Sequence, residues 1–437
     1  MMREFLWNKT GLEGPDDEVM AFLSGADVEL DRSLLLFDIQ ASAAHARGLE
    51  HIGILTAEEN LRLQQALEKL AEECHSGKRV LDDRFEDGHS AIEAWLTDEL
   101  GPLGAKIHTG RSRNDQVAVA MRLCIRNQLG LLSGLCGRIA EACLERAAKD
   151  RELAIPGHTH LQKAMPSSAG LWLAGHGEAF IDNCVLAQEI ERWVDASPLG
   201  TASGFGINLP LAREKVALEL GFSRLVINPQ CAQNSRGKTE LMALAALAAA
   251  TLDLRRLAWD LSLFASDEFG YVELPQRYCT GSSIMPNQRI PVVVDRLRAT
   301  HAVVQGAQAE LGDLLALPSG YHRDLQASKA PFLRAFARGL QALALVPRLV
   351  ADFEWNAERL NASFTAEMFA TDLATEQASQ GVPFREAYRA VAESLSGLSE
   401  VDPQKSLLER VSPGASGNLM LDDLRSRLDS ARAAPKK

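Results

Sequence analysis

Three polar segments interrupt otherwise apolar stretches, and each carries side chains that could hold a small carboxylate or move a proton. In His108-Thr-Gly-Arg-Ser-Arg-Asn-Asp-Gln116, just ahead of a helical pattern, Thr109, Ser112 and Asn114 join the N–H groups of a helix start in a natural carboxylate cradle. Arg111 or Arg113 adds a bidentate clamp. The same residues also fit an elaborate N-cap with a solvated arginine pair, and physics alone leaves both readings open. In Pro156-Gly-His-Thr-His-Leu-Gln-Lys163 two histidines stand at i and i+2. No acidic or histidine-rich spacing completes a zinc or iron site around them, so a metal is not expected. A histidine held by Thr159 and a distant carboxylate would work as an acid, base or substrate-orienting group near neutral pH. A capping turn with a satisfied imidazole is the alternative. In Gly281-Ser-Ser-Ile-Met-Pro-Asn-Gln-Arg-Ile-Pro291, backbone N–H groups could receive a carboxylate while a serine oxygen, stabilised as an alkoxide, takes a proton. Closure of such a loop would exclude water.

These segments need a scaffold, and the composition allows a large one. The chain has 437 residues, 46% hydrophobic and 24% charged, enough to bury a sizeable core in more than one domain. A formal net charge of −12 argues against general nucleic-acid binding, although small anionic substrates fit wherever arginines and lysines converge. The seven cysteines are scattered and lack C-x-x-C spacing, which suits reduced thiols used as core filler in a cytoplasm. The start, Met-Met-Arg-Glu-Phe-Leu-Trp, lacks the apolar segment of a signal peptide, and charge breaks the apolar runs before membrane-spanning length.

Helical periodicity dominates the middle. Apolar residues recur at helical spacing over 117–148, 168–194, 239–266, 292–315 and 329–350, and five long helices need a bundle. The stretch from Glu240 is apolar nearly all round, as at a bundle centre or a subunit interface. Strand candidates are short, near 205–209 and 269–274, so the fold reads as mainly α. No solenoid period is visible. Residues 431–437 read as a frayed tail.

The Gly281–Pro291 stretch resembles the signature loop of the fumarate-releasing lyases, G-S-S-x-M-P-x-K-x-N-P, and the chain as a whole is similar to the argininosuccinate lyase family. The likeness extends through Glu86-Asp-Gly-His-Ser90, Pro198-Leu-Gly-Thr201, Ser235-Arg236, Asp267-Glu-Phe-Gly270 and Tyr321-His-Arg-Asp-Leu-Gln-Ala-Ser-Lys329, in family order. It implies cleavage of argininosuccinate to arginine and fumarate, without metal or organic cofactor, by proton removal beside a carboxylate and C–N rupture. It implies a three-domain, mainly α, fumarase/aspartase-like fold divided at 1–108, 109–354 and 355–437. The assembly it implies is a homotetramer whose active sites are each built from three subunits, with no membrane or nucleic-acid partner.

By position, the resemblance makes Ser282 the catalytic base, His160 the active-site histidine and Thr159 its substrate-binding neighbour. Asp295 stands where the family usually has a glutamate that pairs with this histidine. Ser112, Arg113 and Asn114 match the substrate-carboxylate loop, and Tyr321, Gln326 and Lys329 match the group holding the arginine-like end. Two loop positions depart from the pattern: Gln288 replaces lysine and Ile290 replaces asparagine. Val292 also replaces a common acidic residue. Losing a charge and a donor beside a developing aci-carboxylate predicts a slower elimination, by roughly 3–5 kcal/mol of barrier. Two other readings fit the same residues: a paralogous lyase for a related amino- or guanidino-substituted acid, and a catalytically silent structural or regulatory homologue of the lens delta crystallin kind.

Overall fold

The five helical patterns fold as Arg113–Lys149, Ala169–Val194, Lys238–Phe264, Val292–Leu314 and Lys329–Asp352 in a computed structural model that describes residues 17–398 and 402–433. Their starts follow from local chemistry. Ser112 caps the first helix, with Asp115 closing a capping box, and the Ser168 hydroxyl accepts from Leu171 N at 3.0 Å to begin the second. Gly237 precedes the third with φ 73°, and a Cβ there would stand 2.4 Å from Leu315 Cδ2, so glycine both makes the turn and admits its neighbour.

The helices share one apolar core, including Ile125, Leu132, Phe180, Leu244, Leu254, Leu297, Val304, Phe336 and Leu343. At Gly339 a Cβ would lie 2.7 Å from Leu247 Cδ1, which shows how closely the fifth helix approaches the third. The all-apolar character of Lys238–Phe264 is largely used inside one chain, because the other four bundle helices pack around it. Of the two settings its composition offered, the bundle centre is the one formed within the chain. Met242 and Trp259 remain exposed on it.

A second apolar cluster, with Leu35, Ile39, Leu49, Leu63, Leu67, Leu81, Ile92, Trp95 and Ile107, underlies the N-terminal helices. A smaller cluster of Ala374, Ala387 and Val391 lies in the C-terminal region. The Leu421–Ala433 helix then returns to the bundle, burying Leu424 and Leu428 against it. Residues 431–433 thus close a helix rather than begin a frayed tail, while 434–437 and the N-terminal Met1 to Trp7 lie outside the described residues.

Strands are few, and the expected ones differ. Residues 205–209 form no strand. Ala202, Gly204 and Gly206 all have positive φ, and the N–H groups of Gly204 and Gly206 both turn back to Thr201 O, which excludes an extended ladder. In 269–274 only Val272–Glu273 pairs, with Glu354–Trp355. The main hairpin, Ala154–Thr159 with Gln162–Ser168, was not expected, since its prolines and glycine mask the strand pattern. No helix among the described residues is long and apolar enough to cross a membrane. All seven cysteines are free; Cys124, Cys136, Cys143 and Cys184 are core filler, whereas Cys231 is exposed. Burial pushes the Cys143 thiol up to about 12, so it stays protonated and inert.

Candidate active site

The helix start at Ser112 is built as a cap first. Ser112 N donates to Asp115 Oδ1 at 2.9 Å, and the Ser112 hydroxyl oxygen accepts from Asn114 N at 3.3 Å. Asp115 is fully buried, and its second oxygen accepts from the N–H groups of Gly200 at 2.9 Å and Ala202 at 3.0 Å. One carboxylate thus ties the Ser112–Asn114 loop to the 198–202 turn. Burial pushes Asp115 up to about 6, although the Ser112 and Ala202 N–H groups, Arg111 and Gly200 all pull the other way.

Neither arginine of this segment is a free clamp. Arg111 is buried, its Nη1 donating to Ser42 Oγ at 2.9 Å, while its Nε has no hydrogen-bond partner. Arg113 forks onto two acids, Glu86 Oε2 at 3.0 Å and Asp87 Oδ2. Asp87 caps the Gly88–Leu100 helix through Ser90 N at 2.8 Å. Burial alone would raise Asp87, but His89, Arg113 and the Ser90 donors hold it down to about 2. His89 is itself buried against Asp38, and that pairing outweighs desolvation to raise its pKa. Nearby, Nε2 of His45 donates to Thr109 O at 2.9 Å, and burial, then the Arg111 charge, lowers His45 to about 3. His108 falls to about 4 for the same two reasons.

The Tyr321–Lys329 segment reaches this polar region. Glu86 bridges the two segments, because its other oxygen lies 3.3 Å from Arg323 Nη2. Lys329 is buried with Nζ at 2.8 Å from Asp27 Oδ1 and 2.7 Å from Asp31 Oδ1, and Asp31 Oδ2 accepts from Gly88 N at 3.0 Å. Desolvation works against the Lys329 charge, yet the two aspartates win and raise its pKa. Tyr321 lies under the buried Arg236 guanidinium, 5.3 Å from ring centroid to Cζ. Gln326 and Asn114 are both half-buried. The segments that carry Ser112–Asn114 and Tyr321–Lys329 are therefore tied together through Arg113–Glu86–Arg323, and Lys329 is tied through Asp31 to the start of the Gly88–Leu100 helix.

Thr159 and His160 lie elsewhere, at the exposed tip of the main hairpin. Thr159 pairs with Gln162, leaving His160 and Leu161 as a two-residue turn with φ 55° and 59°. Left-handed backbone at both positions matches the twist of such a hairpin but, without glycine, costs about 1–3 kcal/mol each. Among the described residues, neither Thr159 nor a carboxylate holds the His160 ring. Asp295 instead accepts from Arg298 Nη2 at 2.6 Å, one helical turn on, so the expected His160–Asp295 pair is not formed inside one chain.

The signature loop hangs from a two-stranded base in which Thr280 faces Ile290 and Gly281 faces Arg289. The Ser282 hydroxyl oxygen accepts from the N–H groups of Ile284 at 3.3 Å and Met285 at 3.0 Å. Two donors on one oxygen would also favour its deprotonated form. Gln288 is exposed and Ile290 half-buried.

Asp115, Asp31, Asp27, Asp38, His89 and Arg236 escaped the sequence reading as site residues. Asp115 had a usable signal, Ser-x-x-Asp before an apolar run. The others depend on contacts between distant segments.

Comparison with known proteins finds relatives over most of the chain. A family model described as "Lyase" matches residues 13–306. The argininosuccinate lyase of Stenotrophomonas maltophilia is 54% identical over 427 residues, covering 98% of this chain and 99% of that protein. That of Xanthomonas axonopodis pv. citri is 54% identical over 433 residues, covering 99% and 100%. Among solved structures, an EDDS lyase variant with bound fumarate superposes with a TM-score of 0.79 at 23% identity, covering 97% of this chain and 92% of that one. A fumarate lyase from Mesorhizobium sp. BNC1 gives 0.68 at 19% identity, covering 97% and 100%. The mainly α architecture is thus a fumarase/aspartase-like one, and the chain belongs to the argininosuccinate lyase family.

Proposed function

We propose that the chain is a carbon–nitrogen lyase that splits argininosuccinate into arginine and fumarate. The observation that carries this reading is identity of 54% along essentially the whole chain to an argininosuccinate lyase. Ser282 is assigned as the base that removes the proton beside a substrate carboxylate, its alkoxide favoured by the Ile284 and Met285 N–H groups. His160 and Thr159 orient the substrate, with Asp295 as the histidine's carboxylate partner. Ser112 and Asn114 receive a carboxylate at the helix start, where backbone N–H groups favour an anion. Arg113, already shared by Glu86 and Asp87, acts as the rigid wall of that cradle. Tyr321, Gln326 and Lys329 hold the arginine-like end.

The separation of these groups within one chain supports a homotetramer with shared sites. The His160 tip and the Ser282 loop are exposed on their own elements, so other copies would have to bring them to the Ser112–Lys329 region. Separate apolar clusters under the N-terminal helices, in the bundle and in the C-terminal region support the division at 1–108, 109–354 and 355–437, with Ala41 and Ala44 packing on Val119 and Leu123 across the first boundary and the last helix seated back on the bundle. Free cysteines fit a cytoplasmic setting.

Gln288 and Ile290 favour one variation on this reading, a lyase slowed at the step where negative charge builds up. A continuous ultraviolet assay for fumarate release from argininosuccinate tests the proposal. Turnover supports it. Binding of argininosuccinate without any turnover would favour a silent homologue, and neither binding nor turnover would favour a paralogous substrate.

A further inference from the structure

The hairpin that carries His160 has a weak point in its ladder. Pro156 and Pro166 face each other across it, and neither has an N–H to donate. Side chains take over. The Pro156 carbonyl accepts from Nδ1 of His158 at 3.0 Å, which fixes the proton on that nitrogen because a carbonyl can only accept. The Pro166 carbonyl accepts from Nη1 of Arg410, 244 residues away in sequence.

Arg410 is largely buried, and its second terminal nitrogen is spoken for. Nη2 lies 3.0 and 2.9 Å from the two Asp372 oxygens and 3.1 Å from Ser406 Oγ. Ser406 Oγ in turn donates to Asp372 Oδ2 at 2.6 Å. The guanidinium is therefore a fork with one tine fixed in the C-terminal region and the other on the hairpin. His158 supports the facing strand from an aromatic shelf, its ring 5.4 Å from Phe269, which stacks on Tyr271 at 5.2 Å. Beyond the proline level lie the His158–Lys163 and Thr159–Gln162 pairs and then the exposed turn. It holds two strained residues, His160 and Leu161, so the pose of the imidazole depends on how firmly the strands below are held.

We propose that Arg410, anchored by Asp372 and Ser406, is a positioning residue that fixes the hairpin and so aims His160 at the substrate. This rests on the reading of His160 as an active-site residue. A lysine cannot replace it in full, since one ammonium cannot serve two acceptor groups with a planar fork. Misplacing a catalytic group by about 1 Å costs on the order of a hundredfold in rate.

The test uses full-length Arg410→Ala, Arg410→Lys, His160→Asn and the double variant Arg410→Ala/His160→Asn, assayed by fumarate release. Arg410→Ala should lower kcat by roughly ten- to a hundredfold with KM within about threefold, and Arg410→Lys should fall between. In the His160→Asn background the Arg410→Ala change should cost less than about twofold, because nothing is left to aim. Amide exchange at 158–166 should quicken by about tenfold while the bundle helices keep their protection. Equal losses in both backgrounds, an unchanged kcat, or unchanged exchange in the hairpin would each overturn the clamp. His160→Asn as fast as the parent would overturn the reading of His160 and the clamp with it, whereas a slow His160→Asn beside an unimpaired Arg410→Ala overturns the clamp alone. Should Arg410→Ala not fold, Asp372→Asn keeps the arginine but removes its anchor; it should slow kcat by about threefold or more only when His160 is present.

Discussion

The guanidinium of Arg289 donates to the carbonyl of Leu274, turning back beneath the signature loop, and its Nε reaches Gln276 Oε1 at 3.1 Å. A charge one position from Gln288 is thus committed to the base of the loop. It does not replace the lysine that the family pattern places at 288.

Restoring the pattern should therefore speed the elimination. Gln288→Lys with Ile290→Asn returns a charge and a donor to the signature loop, and on the proposed mechanism kcat should rise at least roughly tenfold. The two changes should be non-additive, since they serve one intermediate. Adding Ser282→Ala should remove most of the gain. A double revertant no faster than the parent, with Ser282→Ala without effect, would show that neither the loop nor the serine has its assigned role.

The bundle was legible because its helices obey local rules: caps at Ser112 and Ser168, and apolar spacing sustained over five stretches. The hairpin was not, because its Pro156–Pro166 pair is completed by His158 and Arg410 rather than by its own ladder. The site divides along the same line. Ser112 and Ser282 sit in segments whose residue types announce anion handling, whereas Asp31 and Asp115 acquire their roles only when Lys329 and the 198–202 turn arrive from far along the chain. Composition was informative at the Lys238–Phe264 helix, whose apolar faces find most of their cover at the centre of the bundle.

Asp31 does more than Asp27 for the buried Lys329, although both carboxylates lie against its ammonium. Asp31 also accepts from Gly88 N and so joins the Lys329 helix to the start of the Gly88–Leu100 helix. Removing one member of a buried charged group leaves the rest uncompensated, and Asp31→Asn should destabilise the fold by about 3–5 kcal/mol. Asp27→Asn should cost clearly less. Urea unfolding of both variants checks the order, and equal midpoints would show that the Gly88 contact adds nothing.

Acid sensitivity should trace in part to His45. Its folded pKa of about 3 lies below the unfolded value of 6.5, so below about pH 6.5 the unfolded chain takes up a proton that the folded chain refuses. Stability from this group is full above that pH and drains as pH falls toward 3, by about 2 kcal/mol at pH 5. Asp115 has the opposite sign: its folded pKa of about 6 lies above the unfolded 3.8, so acidification through that window favours the folded state. Comparing parent with His45→Gln isolates the histidine, because Asp115 is common to both. Between pH 7 and pH 5 the variant should lose about 2 kcal/mol less than the parent in urea titrations, and parallel losses would rule His45 out.

Shared sites make a sharper prediction than oligomer size alone. His160 and Ser282 stand on separate exposed elements and Ser112 to Asn114 at a half-buried helix start, and in the proposed shared site each comes from a different copy. Light scattering at micromolar concentration should report a tetramer. Homotetramers of His160→Asn or of Ser282→Ala would be defective at every site. When the two variants are unfolded together and refolded as a mixture, however, some sites receive an intact His160 from one copy and an intact Ser282 from the other. The mixture should recover activity that neither variant has alone, on the order of a quarter of the parent's, because each of the two positions is filled by an intact copy about half the time. Recovery should require subunit exchange, so mixing the variants without unfolding them should give far less. A refolded mixture no more active than its components would place His160 and Ser282 of each site on the same chain, and a monomer in solution would remove the shared site altogether.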